Sequence, residues 1–377
     1  MRIKDYIFNN KIIKKIVSFC PADKNTMYFE NFRGKGFGDD PRYIAEELHR
    51  RNPKYKMYWL TEDKNIKLPS YLISVKRNTT RAYYALAKSS VWVSNIKNSY
   101  KPRKKSNQFY VQCWHTTLDI KKNEASAKKL EADYIAAAKY DASITDLMYS
   151  DNDISYTNYK NNFWYSGEII RCGVPRVGAT IKKAAEFSEK IRNEYGISGE
   201  KKIAVYMPTF RSGRKTDVYN IDFEKVISAL NERFSAQFVL LMKLHPSMSH
   251  LSFEITENAI DVTAHTDPYE LLGAADVVIS DYSGVVFDTV AADKPLFLAA
   301  KDFEEYKTQD RGFSIEYDRL PSKPCMTDEE LIECIKTFNE EEYLKKCREF
   351  KNFAGFEDDL SGEVTIADII EDFLKKQ

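Results

Sequence analysis

Two of the five histidines in this sequence of 377 residues stand where an apolar run gives way to small or rigid residues. An imidazole at such a strand end can exchange a proton near neutral pH. His115 closes Phe109-Tyr110-Val111-Gln112-Cys113-Trp114 and precedes the hydroxyls of Thr116 and Thr117. It reads either as a base or as a core histidine packed beside Trp114. His245 closes the run Phe238 to Leu244 and is fixed by Pro246, whereas His49, His250 and His265 lie in polar contexts that predict surface positions. After another run, Thr209 and Arg211 offer a hydroxyl and a guanidinium, a pair suited to a phosphate. From Asp276 to Asp288 a strand turns through Ser280, Ser283 and Gly284 into a helix, whose first N–H groups and positive dipole end suit a diphosphate. Asp288, a turn further on, is placed to accept ribose hydroxyls; Ser283 acting only as a helix cap fits the same residues. Lys121 and Lys122 lie close to His115, while Lys97, Lys101, Arg103, Lys104 and Lys105 read as a basic loop that is either solvated or in touch with an anionic acceptor.

Positioning these residues requires many strands. Short β-rich runs alternate with helical patterns twice over, the signature of βα units on parallel sheets. The first set is Met27 to Phe32, Tyr55 to Leu60, Tyr71 to Val75, Val91 to Ser94, Phe109 to Trp114 and Ala142 to Thr145. The second is Ile203 to Met207, Phe238 to Lys243, Ala259 to Val262, Val277 to Ser280 and Pro295 to Leu298. Asp40 followed by Pro41 reads as a helix start. The fold class expected is α/β, with two doubly wound Rossmann-like domains facing a cleft and the candidate residues at the carboxyl ends of the strands. The boundaries expected are a basic amphipathic segment over 1–24, one domain over 25–175, a second over 176–350, and a C-terminal helix over 351–377 that crosses back to the first. In the first segment Lys4, Lys11, Lys14 and Lys15 fall on one arc opposite Ile12, Ile13, Ile16, Val17 and Phe19, so it either packs on the protein or lies on an anionic membrane surface.

With 43% apolar and 30% charged residues, 24 Tyr and 22 Phe, the chain is neither a fibre nor a disordered tail. No run approaches the ~20 apolar residues that cross a bilayer, and no cleavable leader follows Met1, so a cytoplasmic protein is expected. The six cysteines contain no C-x-x-C pair, and neither zinc nor a disulfide frame is predicted. The net charge of +1 divides unevenly, +17 over residues 1 to 130 and −16 over the remainder. The basic part would attract a phosphate-bearing partner: nucleic acid, anionic lipid or an anionic polymer.

Six short motifs occur in a fixed order: Trp114-His115-Thr116-Thr117, Gly173-Val174-Pro175-Arg176, Pro208-Thr209-Phe210-Arg211, Lys243-Leu244-His245-Pro246, Ser280-Asp281-Tyr282-Ser283-Gly284 and Arg311-Gly312-Phe313. Over about residues 25 to 350 the set resembles the CDP-glycerol glycerophosphotransferase family of teichoic acid and capsule synthesis. The resemblance implies a GT-B arrangement, with an N-terminal acceptor domain and a C-terminal CDP-alditol domain. The chain departs from the family pattern at Thr116, where glycine is usual, at Val177-Gly178, where Asn-Asp is usual, and at Gly284, where a second serine is usual.

The expected reaction is transfer of glycerol phosphate, or a related alditol phosphate, from CDP-glycerol to a hydroxyl of a polymer or lipid-linked acceptor, with CMP leaving. His115 is the expected base. His245, Arg211, Thr209, Ser283, Gly284 and Arg311 are expected around the donor with Asp288 on its ribose, and Thr116, Thr117, Lys121 and Lys122 on the acceptor side. With these cations no obligate metal or cofactor is expected. The partners would be the CDP-alditol, an anionic acceptor and the inner face of the cell membrane, where the protein would be peripheral, but not nucleic acid. A GT-B glycosyltransferase using a UDP-sugar and a non-enzymatic nucleic-acid binder are the alternatives.

Overall fold

The computed structural model describes residues 11–62, 66–97, 101–119, 121–127, 130–211, 217–244, 257–309 and 313–377, and within them the side chains of all but 11–14, 217, 308 and 309. The chain forms two compact units. Unit 1 comprises Met1–His115, Lys129–Gly178 and Glu357–Gln377, and unit 2 comprises Thr116–Lys128 and Ala179–Phe356.

In unit 1 the strands are β1 (Asp23–Glu30), β2 (Lys56–Thr61), β3 (Leu72–Lys76), β4 (Ser89–Ser94), β5 (Phe109–Gln112), β6 (Leu147–Ser150) and β7 (Glu168–Arg171). They form one parallel sheet in the order β3-β2-β1-β4-β5-β6-β7. Helices cover its faces: α1 (Lys11–Ser18), α2 (Asp39–Arg51), α3 (Thr80–Lys88), α4 (Ala132–Ile144), α5 (Asp153–Asn162), and the first half of α6 (Pro175–Lys182). A parallel sheet covered on both faces needs near-continuous apolar strands, which Met57-Tyr58-Trp59-Leu60 and Val91-Trp92-Val93 supply. Tyr28, Leu60, Leu86, Trp92 and Tyr110 form one buried cluster against it.

Three expectations for unit 1 are corrected. Ala142 to Thr145 is the end of helix α4 and not a strand; the buried Asp141 accepts from Lys101 and Tyr110, and Thr145 bonds back to the Asp141 carbonyl. The helix near Asp40 is capped by Gly38, and the Asp40 carboxylate is instead buried in an ion pair with Arg176. The basic loop is solvated only in part, since Arg103 is exposed but Lys97 and Lys101 are buried, Lys97 donating to the Phe163 carbonyl and Lys101 pairing with Asp141 at 2.8 Å.

The last segment of unit 1 is α14 (Gly362–Lys375), lying on α2. Its approach is tight: a Cβ on Gly362 would stand 1.6 Å from the Gly173 carbonyl oxygen, and one on Gly173 2.1 Å from that of Asp359. Arg51 of α2 ties the two helices by pairing with Glu47, Asp368 and Glu371. At the other end, Val17 of α1 packs on Tyr83 and Ala87, while Ile16 and Phe19 are 63% and 75% exposed. Lys4, Lys11 and Lys14, expected on the basic arc, lie outside the described side chains; Lys15 is exposed.

Unit 2 contains α7 (Ala184–Tyr195), β8 (Lys202–Met207), α8 (Phe223–Phe234), β9 (Phe238–Met242), β10 (Ala259–Asp261), α9 (Pro268–Ala274), β11 (Val277–Ser280), α10 (Val285–Ala291), β12 (Leu296–Ala299), α11 (Phe303–Gln309), β13 (Pro324–Cys325), α12 (Asp328–Lys336) and α13 (Glu340–Ala354). Its sheet, also parallel, runs β10-β9-β8-β11-β12-β13. Both sheets reverse strand order once, at β1/β4 and at β8/β11, and the crevice beyond such a switch point is where doubly wound sheets bind ligands. Thr116 to Lys128, expected in the first domain, is grouped with unit 2. Lys121 makes an antiparallel bridge to Phe313, and the Ser314 hydroxyl donates to the Asp119 carbonyl.

Candidate active site

At the switch point of unit 1, Asn95 follows β4 and Asn31 follows β1. The Asn95 amide donates to Asn31 at 2.8 Å and to Asp39 at 3.0 Å, and its oxygen accepts the Phe32 N–H at 2.9 Å. This leaves the Asn95 carbonyl fixed, 3.0 Å from Nδ1 of His115. A carbonyl can only accept, so Nδ1 carries the proton and Nε2 is the basic nitrogen. Trp114, in the left-handed region at φ 54°, turns the chain between β5 and His115. The imidazole then lies 4.0 Å from the Trp114 ring and 5.5 Å from that of Phe32. His115 is half-buried, with its tautomer set and its ring held on two sides.

Beneath it lies a network that the sequence did not disclose. Nη1 of Arg176 is 2.6 Å from Asp40 and 3.3 Å from Asp39, and Tyr149 donates to Asp40 at 2.7 Å, all of them buried. Burial raises the Asp40 carboxyl and the Arg176 charge opposes that rise. The proline-arginine pair was the one signal available, because an arginine in the first turn of a helix must find an acid if it folds inward.

The carboxyl edge of unit 2 is organised around Arg211. Its guanidinium donates to Asp302 at 2.7 and 3.0 Å and to the Thr209 carbonyl at 2.6 Å, and pairs with Asp281 at 2.9 Å. The rings of Tyr282 and Tyr306 each lie 4.8 Å from it. At 9% exposure, with two carboxylates and a carbonyl on it, Arg211 clamps the β8, β11 and β12 loops together. Asp281 also accepts the Thr209 N–H at 2.8 Å and takes the Tyr282 N–H. The Thr209 hydroxyl is buried with no hydrogen-bond partner among the described residues. Lys243, at the end of β9, donates to the Thr263 carbonyl, and burial draws its ammonium down to about 8.

Asp288 is 1% exposed, and its carboxylate accepts from Thr117 and, at 3.4 Å, from Tyr269, so it faces inward. Ser283 and Gly284 do reach solvent at the start of α10. A Cβ on Gly284 would come 2.9 Å from Cγ2 of Thr116. Thr116 itself donates to Asp119 at 2.7 Å, Lys121 sits 4.7 Å over the Tyr306 ring, and Lys122 is exposed. His245 and Arg311 lie outside the described residues. His265, expected at the surface, is buried 3.0 Å from Glu270.

Among the described residues no group of three or more His, Cys, Asp or Glu is placed to hold a metal ion. The one Asp-x-Asp spacing in the chain, Asp151-Asn152-Asp153, starts α5, where Asn152 caps the helix through the Ser155 N–H. Nor, among the described residues, is any helix long and apolar enough to cross a membrane.

A teichoic acid poly(glycerol phosphate) polymerase of Staphylococcus epidermidis is 30% identical over 374 residues, which cover 93% of this chain and 51% of that protein. A teichoic acid glycerol-phosphate transferase of Staphylococcus aureus is 25% identical over 91% of this chain and 92% of its own. This chain thus spans about half the length of the first of these relatives and nearly all of the second. The solved structure of the wall teichoic acid polymerase TagF superimposes with a TM-score of 0.86 at 27% identity, covering 100% of this chain and 96% of that one. A histidine-to-asparagine form of TagF soaked with CDPG gives 0.84 at 26%, covering 100% and 99%. The family model described as CDP-Glycerol:Poly(glycerophosphate) glycerophosphotransferase matches residues 12–370, and this chain belongs to that family.

Proposed function

We propose that the protein transfers glycerol phosphate, or a closely related alditol phosphate, from its CDP ester to a hydroxyl of a teichoic-acid-like polymer or lipid-linked acceptor. The observation that carries this reading is the family match across nearly the whole chain. In the proposed step the acceptor oxygen bonds to the phosphorus that bears the alditol, the diphosphate P–O bond breaks, and CMP departs with the electron pair. The acceptor proton passes to Nε2 of His115, whose tautomer the Asn95 carbonyl sets. Donor binding is assigned to the carboxyl edge of unit 2. Thr209, Ser283, Gly284, His245 and Arg311 are assigned to the nucleotide and diphosphate, and Arg211 acts as a positioning residue through Asp281 and Asp302. Thr116, Thr117, Lys121 and Lys122 serve on the acceptor side, Thr117 through Asp288. No obligate metal is assigned. The exposed Ile16 and Phe19 beside Lys15 support peripheral binding to an anionic membrane face.

The test is CMP release in separate incubations with CDP-glycerol, CDP-ribitol and a UDP-sugar, each with a glycerol-phosphate-primed lipid acceptor. Acceptor-dependent CMP from a CDP-alditol is expected. UMP or UDP from the UDP-sugar with no CMP formed would transfer the chain to sugar chemistry.

A further inference from the structure

Outside the candidate site, unit 2 brings two thiols together. Cys325 is the second residue of β13 and is buried, and Cys334 lies in the second turn of α12 and is half-buried. Their sulfurs are 3.1 Å apart, with Cys325 donating its S–H to Cys334. That bond, followed by burial, raises the Cys325 thiol. The same bond draws Cys334 down, against its own burial and with help from Lys323. A thiol that gains thiolate character and keeps a path to solvent is the attacking sulfur of a redox pair, and its neighbour is the resolving one. The path is present: a groove of about 300 Å³ is lined by both cysteines together with Leu298, Lys323, Thr337 and Tyr343 among others. Cys20, Cys113, Cys172 and Cys347 are also free thiols and supply an internal control.

We propose that Cys325 and Cys334 form a peroxide-oxidisable dithiol, a modification site that staples the edge strand β13 to helix α12. The Cys334 thiolate attacks one oxygen of a hydroperoxide, the O–O bond breaks, and Cys334 becomes a sulfenic acid as the peroxide is reduced to the alcohol, or to water for hydrogen peroxide. The Cys325 sulfur then attacks the Cys334 sulfur, the S–O bond breaks, and the leaving hydroxide takes the Cys325 proton as water. Two thiols and one peroxide give one disulfide. The staple acts on a stretch that matters, because the loop leading into β13 carries Tyr317, whose hydroxyl donates to the Asp281 carbonyl beside the Arg211 clamp.

The full chain is treated with hydrogen peroxide, alkylated and digested with trypsin. Residues 325 and 334 fall between Arg319 and Lys336, so the disulfide appears as loss of two hydrogens from one peptide, reversed by dithiothreitol. In the expected result this peptide is the first to change and the four other cysteines stay alkylatable. In Cys325→Ser the sulfenic acid on Cys334 persists and is trapped by dimedone, whereas Cys334→Ser gives neither product. Were Cys325→Ser to misfold, the parent and Cys334→Ser would still decide the matter. Full alkylation of both thiols after peroxide, or oxidation of Cys334 to sulfinic acid in the parent with Cys325 still free, overturns the proposal.

Discussion

At the scale of single residues, the best-defined group is His115, because the Asn95 carbonyl leaves only one tautomer and two aromatic rings restrict the ring. His115→Ala is expected to lower turnover by roughly 10²- to 10⁴-fold, the usual contribution of a positioned base, with CDP-glycerol affinity little changed in calorimetric titration. A parallel loss of donor affinity would move His115 out of the base role. The Thr116–Gly284 contact gives a second residue-scale prediction. Both positions depart from the pattern this family usually shows, and the structure puts them against each other, the larger side chain at 116 facing the missing one at 284. Gly284→Ser alone should destabilise unit 2, and Thr116→Gly should recover much of that loss, giving a coupling of about 0.5 to 3 kcal/mol in a double-mutant cycle. Additive melting shifts would show that the two positions do not sense each other.

At the scale of elements, two helices of unit 1 carry opposite exposures. Helix α1 buries Val17 and leaves Ile16 and Phe19 outside. Ile16→Ser combined with Phe19→Ser should weaken sedimentation with anionic liposomes while the melting temperature holds, and Val17→Ser should do the reverse. Helices α2 and α14 are joined through Arg51 and Glu47. Hydrogen bonding to Arg50, with Arg51 adding to it, holds the Glu47 carboxyl down at about 2. A depressed acid contributes stability that is present above its ordinary pKa and lost as pH falls toward the folded value. The parent should therefore lose more stability than Glu47→Gln between pH 5 and pH 2, read from urea midpoints. The elements also show what the sequence could disclose. Long apolar strands such as β2 and β4 were legible within a residue or two. Strand β7 was not, because Glu168-Ile169-Ile170-Arg171 is short, charged at both ends and only half-buried at the sheet edge. Helix α4 misled because its alanines and isoleucines fall on all sides, leaving no apolar stripe. Arg211 and Asp288 were legible as important but not as inward-facing, since an arginine or aspartate after a strand has the same spelling whether it meets a ligand or another side chain.

At the scale of the whole molecule, the sequence's division of charge carries over to the two units only in part. Part of the basic excess of the first 130 residues is taken up inside unit 1 by Asp141, Asp146 and the Phe163 carbonyl. Two units with separate sheets and separate cores should respond separately to a ligand that only one of them holds. CDP-glycerol at 100 times its dissociation constant adds about 2.7 kcal/mol to whatever binds it. Calorimetric scans should then show the part of the unfolding profile assigned to unit 2 moving upward. A shift confined to the part assigned to unit 1 would reverse the assignment of the donor.

The chain path of unit 1 bears on how the protein is made. Its three segments are separated by both segments of unit 2, and its final one, Glu357 to Gln377, follows every residue that unit 2 requires. On the ribosome, a domain that starts first ordinarily finishes first. Here the order is inverted. Unit 2 has its full set of residues once Phe356 has emerged, whereas the seven-stranded sheet waits with Gly173 and the outer face of α2 bare until Asp359, Gly362 and the rest of α14 arrive. For that interval the sheet, with its seven strands made but α2 still uncovered, is a natural client for a holding chaperone, and a stalled or prematurely released nascent chain would carry a finished second unit joined to an unfinished first.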